Sequence, residues 1–194
     1  MFRKKTPNAF AHDLSSKELC HTCHIARPLR SKHCRVTRKC VLLFDHYCPF
    51  VLNTIGLYNY KYFYWFLVFM SLGVVSFIIT LVMYIRRFTV DHSMPWMTLA
   101  LGVELSLTTI PIVGMCGYHT QLAMVNLTTN EHMNVRKYKY LFPASNSGTR
   151  KYRNPWFKGW IGNFMDRMQP SDRSYMMPED LEGLIQNTNP MNAV

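Results

Sequence analysis

Two long apolar spans and a compact cysteine-rich polar head make this 194-residue sequence read as an α-helical integral membrane protein with one small, metal-stapled domain. Three observations carry that reading. Residues 62–85 contain no Asp, Glu, Lys, Arg or His. Residues 96–125 form a second apolar stretch, and five of the six cysteines fall between Cys20 and Cys48. At about 1.5 Å per helical residue the first stretch is roughly 36 Å long, enough to cross a bilayer core with some tilt.

Taken in order, residues 1–61 are polar, basic and rich in Cys and His, with little periodicity before Asp45. Short ligand spacings and Pro28 suggest turns held by a metal rather than by an apolar core. Arg3, Lys4 and Lys5 are not followed by the apolar run of a signal peptide, so this segment is expected on the non-secreted side. The first span, 62–85, opens on Tyr62, Phe63, Tyr64 and Trp65, the aromatic belt of a membrane interface. A link follows at 86–95. The second span, 96–125, contains Glu104, Pro111, Gly114, Gly117 and His119. Glu104 inside a membrane helix is costly, so it faces other helices or water, or lies near enough to the helix end to reach headgroups. Residues 126–169 are polar and basic with scattered aromatics, and 170–194 turn acidic and read as a disordered tail.

Charge gives the expected topology. Eleven Lys and Arg precede the first span, two lie in the link and nine follow the second span. The positive-inside rule then places both termini in the cytosol and the link in the lumen. The sequon Asn126-Leu127-Thr128 falls on the cytosolic side and should stay unmodified. The net charge of +11 flanks the spans instead of forming one basic domain. It therefore points to membrane lipid as a partner and not to nucleic acid.

The five clustered cysteines are odd in number, lie beside basic residues and fall on the non-secreted side, which disfavours a disulfide framework. Cys20-x-x-Cys23, then His33, Cys34 and Cys40, instead have the spacing of zinc ligands. Buried inert cysteines are the plainer alternative, but this segment offers little apolar surface to bury them. Cys116, in the second span, reads as structural.

The run Cys20-x-x-Cys23-x-x-x-Arg27-Pro28-x-Arg30-Ser31-Lys32-His33-Cys34, followed by Cys40, Phe44-Asp45-His46-Tyr47-Cys48-Pro49, Asn53, Gly56, Asn59 and Phe63, resembles the cysteine-rich domain of the DHHC protein S-acyltransferases. It looks most like their huntingtin-interacting, ankyrin-repeat branch. Thr128-Thr129-Asn130-Glu131 is similar to the family's TTxE motif, and Asn154-Pro155-x-x-x-Gly159 with Asn163 to its C-terminal motif. The resemblance covers about residues 18–165 and departs from the family at Tyr47.

The resemblance implies transfer of a long-chain acyl group from palmitoyl-CoA to Cys48 as a thioester, then to a cytosolic cysteine of a protein substrate. His46 would activate the thiol and shuttle protons, and Asp45 would orient His46. Thr129 would contact Asp45, and Asn163 would anchor the C-terminal segment on the membrane helices. The family binds two zinc ions. Cys20, Cys23, His33 and Cys40 complete the first site, whereas the second would fall on Cys34, Thr37, Tyr47 and Thr54. One thiol in four cannot hold zinc, so one ion is expected. The loop around Tyr47 is then left to packing, with Tyr47 and Phe50 as the candidates. Arg27, Arg30, Lys32, Arg35, Arg38 and Lys39 are candidates for CoA phosphates or lipid headgroups, or form a solvated basic face. The family core has at least four membrane helices, and this chain supplies two. An inactive membrane adaptor, or a homo- or hetero-oligomeric partner of a longer acyltransferase, is the alternative. The Golgi or another internal membrane is the expected location.

Overall fold

The computed structural model describes residues 19–88, 96–142 and 151–170. The expected disordered tail, the N-terminal segment and most of the 86–95 link lie outside the described residues. The described chain divides into two compact units, one built on residues up to Tyr58 with Thr128–Trp156, the other on Asn59–Leu127 with Phe157–Gln169.

The first unit begins with three two-stranded antiparallel hairpins. Leu19–Cys20 (β1) pairs with Ile25–Ala26 (β2), Lys32–Cys34 (β3) with Lys39–Val41 (β4), and His46–Cys48 (β5) with Asn53–Ile55 (β6). The weak periodicity before Asp45 hid the first two, because strands this short have no room for alternation. An isolated hairpin is marginal in water, so each needs an external staple. The apolar centre is small, formed by Leu42, Leu43 and Leu57. Gly56 permits that packing. A Cβ there would lie 2.5 Å from Val41 Cγ1 and 2.7 Å from Leu42 O.

Polar contacts supply the remaining order. Thr128 caps a short helix, Thr129–Met133 (α3), by accepting from Glu131 N at 3.1 Å, while Glu131 Oε2 accepts from Thr128 N at 2.9 Å. The same Glu131 accepts two hydrogen bonds from Arg30, from Nε and Nη2, each at 2.7 Å. Tyr140 Oη donates to Glu131 Oε1 at 2.9 Å, and the Arg30 guanidinium lies 4.3 Å over the Trp156 ring. Burial alone would raise the Glu131 carboxyl, but the charge and hydrogen bonds of Arg30 hold it below the ordinary carboxylate range. Burial and the Glu131 charge push the Tyr140 phenol up.

The second unit contains two long helices, Tyr60–Phe88 (α1) and Trp96–Val125 (α2), and the short Trp160–Met168 (α4). Both long helices are long and apolar enough to cross a membrane. Helix α1 extends beyond the uncharged stretch 62–85 at both ends, because Tyr60, Lys61, Arg86 and Arg87 are compatible with helix and suit an interface. Most of both helices is exposed, including Glu104. They are joined near one end, where Tyr60 Oη donates to His119 O at 3.1 Å and Tyr64 Oη lies 3.1 Å from Thr120 Oγ1. Asn126 is fully buried and its Nδ2 donates to Asp166 Oδ2 at 3.1 Å, so the sequon is inaccessible as well.

Replacing Glu131 with Ala should cost about 3–5 kcal/mol, because it strands a buried guanidinium, and thermal unfolding measures it. Thr128→Ala should cost about 1 kcal/mol. The Glu131 carboxyl is lowered in the folded chain, so its stabilisation is present above the ordinary carboxylate pKa. It should be lost as pH falls through the lowered value.

Candidate functional site

Two sites emerge in the first unit, a thiol–imidazole cluster and a reactive hairpin. The cluster joins β1, the β1–β2 turn, β3 and β4. His33 Nδ1 lies 3.5 Å from Cys20 Sγ, 3.2 Å from Cys23 Sγ and 3.9 Å from Cys40 Sγ. All four ligand atoms fall within 4.8 Å of one another. Around a tetrahedral zinc, bond lengths near 2.3 and 2.0 Å place sulfur and nitrogen about 3.6 Å apart. The cluster therefore has the size and donor set that zinc requires. Its electrostatics agree. Burial first, and then the neighbouring Cys20 and Cys23 thiols, push Cys40 up to about 12. A cation held among these sulfurs would favour their thiolate forms.

The hairpin carries Asp45 at its entrance, and His46 and Cys48 at alternate positions of β5. Alternation along a strand places His46 and Cys48 on one face and Tyr47 on the other. Asp45 is 1% exposed, and its Oδ1 lies 2.8 Å from His46 Nδ1. The other carboxylate oxygen accepts from the backbone N–H of Thr129 at 3.2 Å, and Asp45 O accepts from Asn130 N at 3.1 Å. Thr129 thus reaches Asp45 through its backbone. Its hydroxyl oxygen is buried and has no hydrogen-bond partner among the described residues.

Burial lowers the basicity of His46, but the hydrogen bond and charge of Asp45, with a smaller contribution from Cys48, raise it overall. For Cys48, burial acts upward and is outweighed by the backbone N–H of Val51, the His46 side chain and the N–H of Phe50. The thiol is held below its ordinary value. Asp45 thus favours the charged form of His46, and the surroundings of Cys48 favour its thiolate over the thiol.

Several expectations change on this geometry. Arg30 does not face CoA or lipid, because it is buried against Glu131 and Trp156. Lys32 donates to Asn130 Oδ1 at 2.9 Å and lies over the Phe44 ring. Phe50 is 92% exposed, so it does not pack the loop around Tyr47. Thr54, paired with Tyr47, donates to Cys34 Sγ at 3.1 Å and lies 3.0 Å from Thr37 Oγ1. Asn163, in α4, is fully buried. Its Nδ2 donates to Met124 O at 2.6 Å and its Oδ1 accepts from Lys158 N at 2.7 Å.

A family model described as DHHC palmitoyltransferase matches residues 13–136. The chain belongs to the DHHC palmitoyltransferase family. Palmitoyltransferase ZDHHC8 of Canis lupus familiaris is 37% identical over 151 residues, 74% of this chain and 18% of that protein. Palmitoyltransferase ZDHHC17 of Danio rerio is 31% identical over 163 residues, 76% of this chain and 26% of that protein. Palmitoyltransferase ZDHHC9 of Bos taurus is 32% identical over 157 residues, 73% and 38% respectively. The chain thus spans about a fifth of the length of its ZDHHC8 relatives. Three differently named relatives at similar identity place it in the family and do not single out the ankyrin-repeat branch.

His46→Ala should slow alkylation of Cys48 by iodoacetamide at neutral pH and move its pH midpoint upward. The sign follows from removing a cation that favours the thiolate over the thiol. Peptide-level mass spectrometry across a pH series measures it.

Proposed function

We propose that the chain is the catalytic core of a protein S-acyltransferase that uses palmitoyl-CoA or a similar long-chain donor. The observation that carries this reading is the buried Asp45 carboxylate, held by the Thr129 N–H and engaged by His46 two residues before a lowered Cys48 thiol.

The thiolate of Cys48 attacks the acyl carbonyl of the donor. The tetrahedral adduct collapses with loss of the CoA thiolate, which takes its proton from the His46 imidazolium. A substrate cysteine then gives its proton to neutral His46 and attacks the Cys48 thioester. Cys48 leaves as the thiolate, and the imidazolium is restored. Asp45 fixes the His46 ring and stabilises its charged form, the division of labour of a nucleophile, base and orienting acid. Tyr47, on the opposite strand face, takes no part.

Cys20, Cys23, His33 and Cys40 would hold one zinc ion, whose contribution is structural: it cross-links the first two hairpins. Arg35, Arg38 and Lys39, on and beside the β3–β4 turn, remain candidates for donor phosphates or anionic headgroups. The charge asymmetry across the spans supports a cytosolic site acting on cytosolic protein cysteines at a membrane surface.

Incubation of the purified chain with labelled palmitoyl-CoA should give a hydroxylamine-labile label that is absent in Cys48→Ser. His46→Ala should reduce its rate by about 10²–10⁴-fold. Label that persists unchanged in Cys48→Ser defeats the reading.

A further inference from the structure

Three hairpins stand in the first unit, and only two of them contribute to the thiol–imidazole cluster. The third, β5–β6, carries His46 and Cys48 and has no ligand in that cluster. A two-stranded hairpin with three residues in each strand does not hold its own position. Among the described residues, its contacts with the first four strands include the Thr54 hydroxyl, beside the close approach of Gly56 to Val41 in β4.

Thr54 lies in β6 directly opposite Tyr47, one residue from the partner of Cys48. It is 4% exposed. Its hydroxyl donates to Cys34 Sγ in β3 at 3.1 Å and lies 3.0 Å from Thr37 Oγ1 in the β3–β4 turn. With the Thr54 proton directed at sulfur, its oxygen accepts from Thr37. The neighbouring Asn53, which pairs with Cys48, accepts from Thr54 N through Oδ1 at 2.8 Å.

These contacts occupy the place where the family resemblance implies a second zinc, and they do not fit one. Zinc is held by thiolate, imidazole and carboxylate groups, and neutral hydroxyls replace them poorly. Here oxygen and sulfur are in direct hydrogen-bond contact, and two of the donors are hydroxyls. We propose that Cys34, Thr37 and Thr54 form a metal-free clamp, in which Thr54 is the positioning residue that holds the hairpin carrying His46 and Cys48 against β3 and the β3–β4 turn. The zinc-like cluster and the reactive hairpin are then fastened by different chemistry. Loss of the Thr54 hydroxyl should free the second without dissolving the first. The inference rests on Cys48 being the reactive thiol.

The test uses the purified full chain in detergent, with zinc stoichiometry by native mass spectrometry, Cys48 alkylation across pH, and acyl uptake. Wild type should hold one zinc. Thr54→Val, which keeps shape and loses the hydroxyl, should keep that zinc. It should move the Cys48 alkylation midpoint upward and cut acyl uptake at least tenfold. Thr54→Ser should stay within about twofold of wild type. The triple variant Thr37→Cys, Tyr47→His, Thr54→Cys should bind a second zinc and recover Cys48 reactivity, because a metal then replaces the clamp. Two zinc ions in wild type would overturn the proposal. So would a Thr54→Val protein indistinguishable from wild type, or one that also sheds its first zinc. If alkylation responds as stated while wild type takes up no acyl group, the functional reading fails and the clamp stands.

Discussion

The buried pair between Arg30 and Glu131 connects segments that lie 101 residues apart in sequence. Two parallel hydrogen bonds, a phenol from Tyr140 and the face of Trp156 surround it. Desolvating two charges is expensive, and such a pair gains little net stability over an apolar substitute. Its consequence here is placement. Glu131 also closes the capping box of α3, so fixing it fixes the N–H of Thr129. That N–H holds Asp45, and Asp45 holds His46. The carboxylate that engages His46 is therefore placed in part by a contact that contains none of the hairpin's own residues.

The domain has too little apolar surface to achieve this by burial. Leu42, Leu43 and Leu57 form a small centre, and the hairpins around it are two strands wide. Each is stapled by polar chemistry. A thiol–imidazole cluster joins the first pair, hydroxyl-to-sulfur bonds fasten the third, and the ion pair secures α3. This distribution makes the domain sensitive to single polar substitutions, because each removes one staple and leaves a buried partner.

The membrane unit follows a different economy. Its helices share hydrogen bonds near one end through Tyr60, Tyr64, His119 and Thr120, approach again at Leu81 and Gly102, and leave most of their apolar length exposed. Helix α4 is tied to the end of α2 by Asn163 and to Asn126 by Asp166. A bilayer supplies the solvent for the rest, since lipid rewards apolar exposure that water penalises.

Chain-local spacing by itself determined the two spans and a zinc-like group among Cys20, Cys23, His33, Cys34 and Cys40, and the family resemblance narrowed the set and picked out Asp45, His46 and Cys48. An uncharged stretch of helical length, a Cys-x-x-Cys pair and a short motif are complete within a few residues. The same reading left Arg30 to a ligand or a solvated face, gave Phe50 to packing, and named none of the three hairpins. Only tertiary structure decided those points. Whether a guanidinium meets a phosphate or a carboxylate depends on what the fold brings beside it, and Glu131 is distant in sequence. Likewise, Thr37 and Thr54 are unremarkable as residues, and become a clamp only where the turns set their hydroxyls around Cys34.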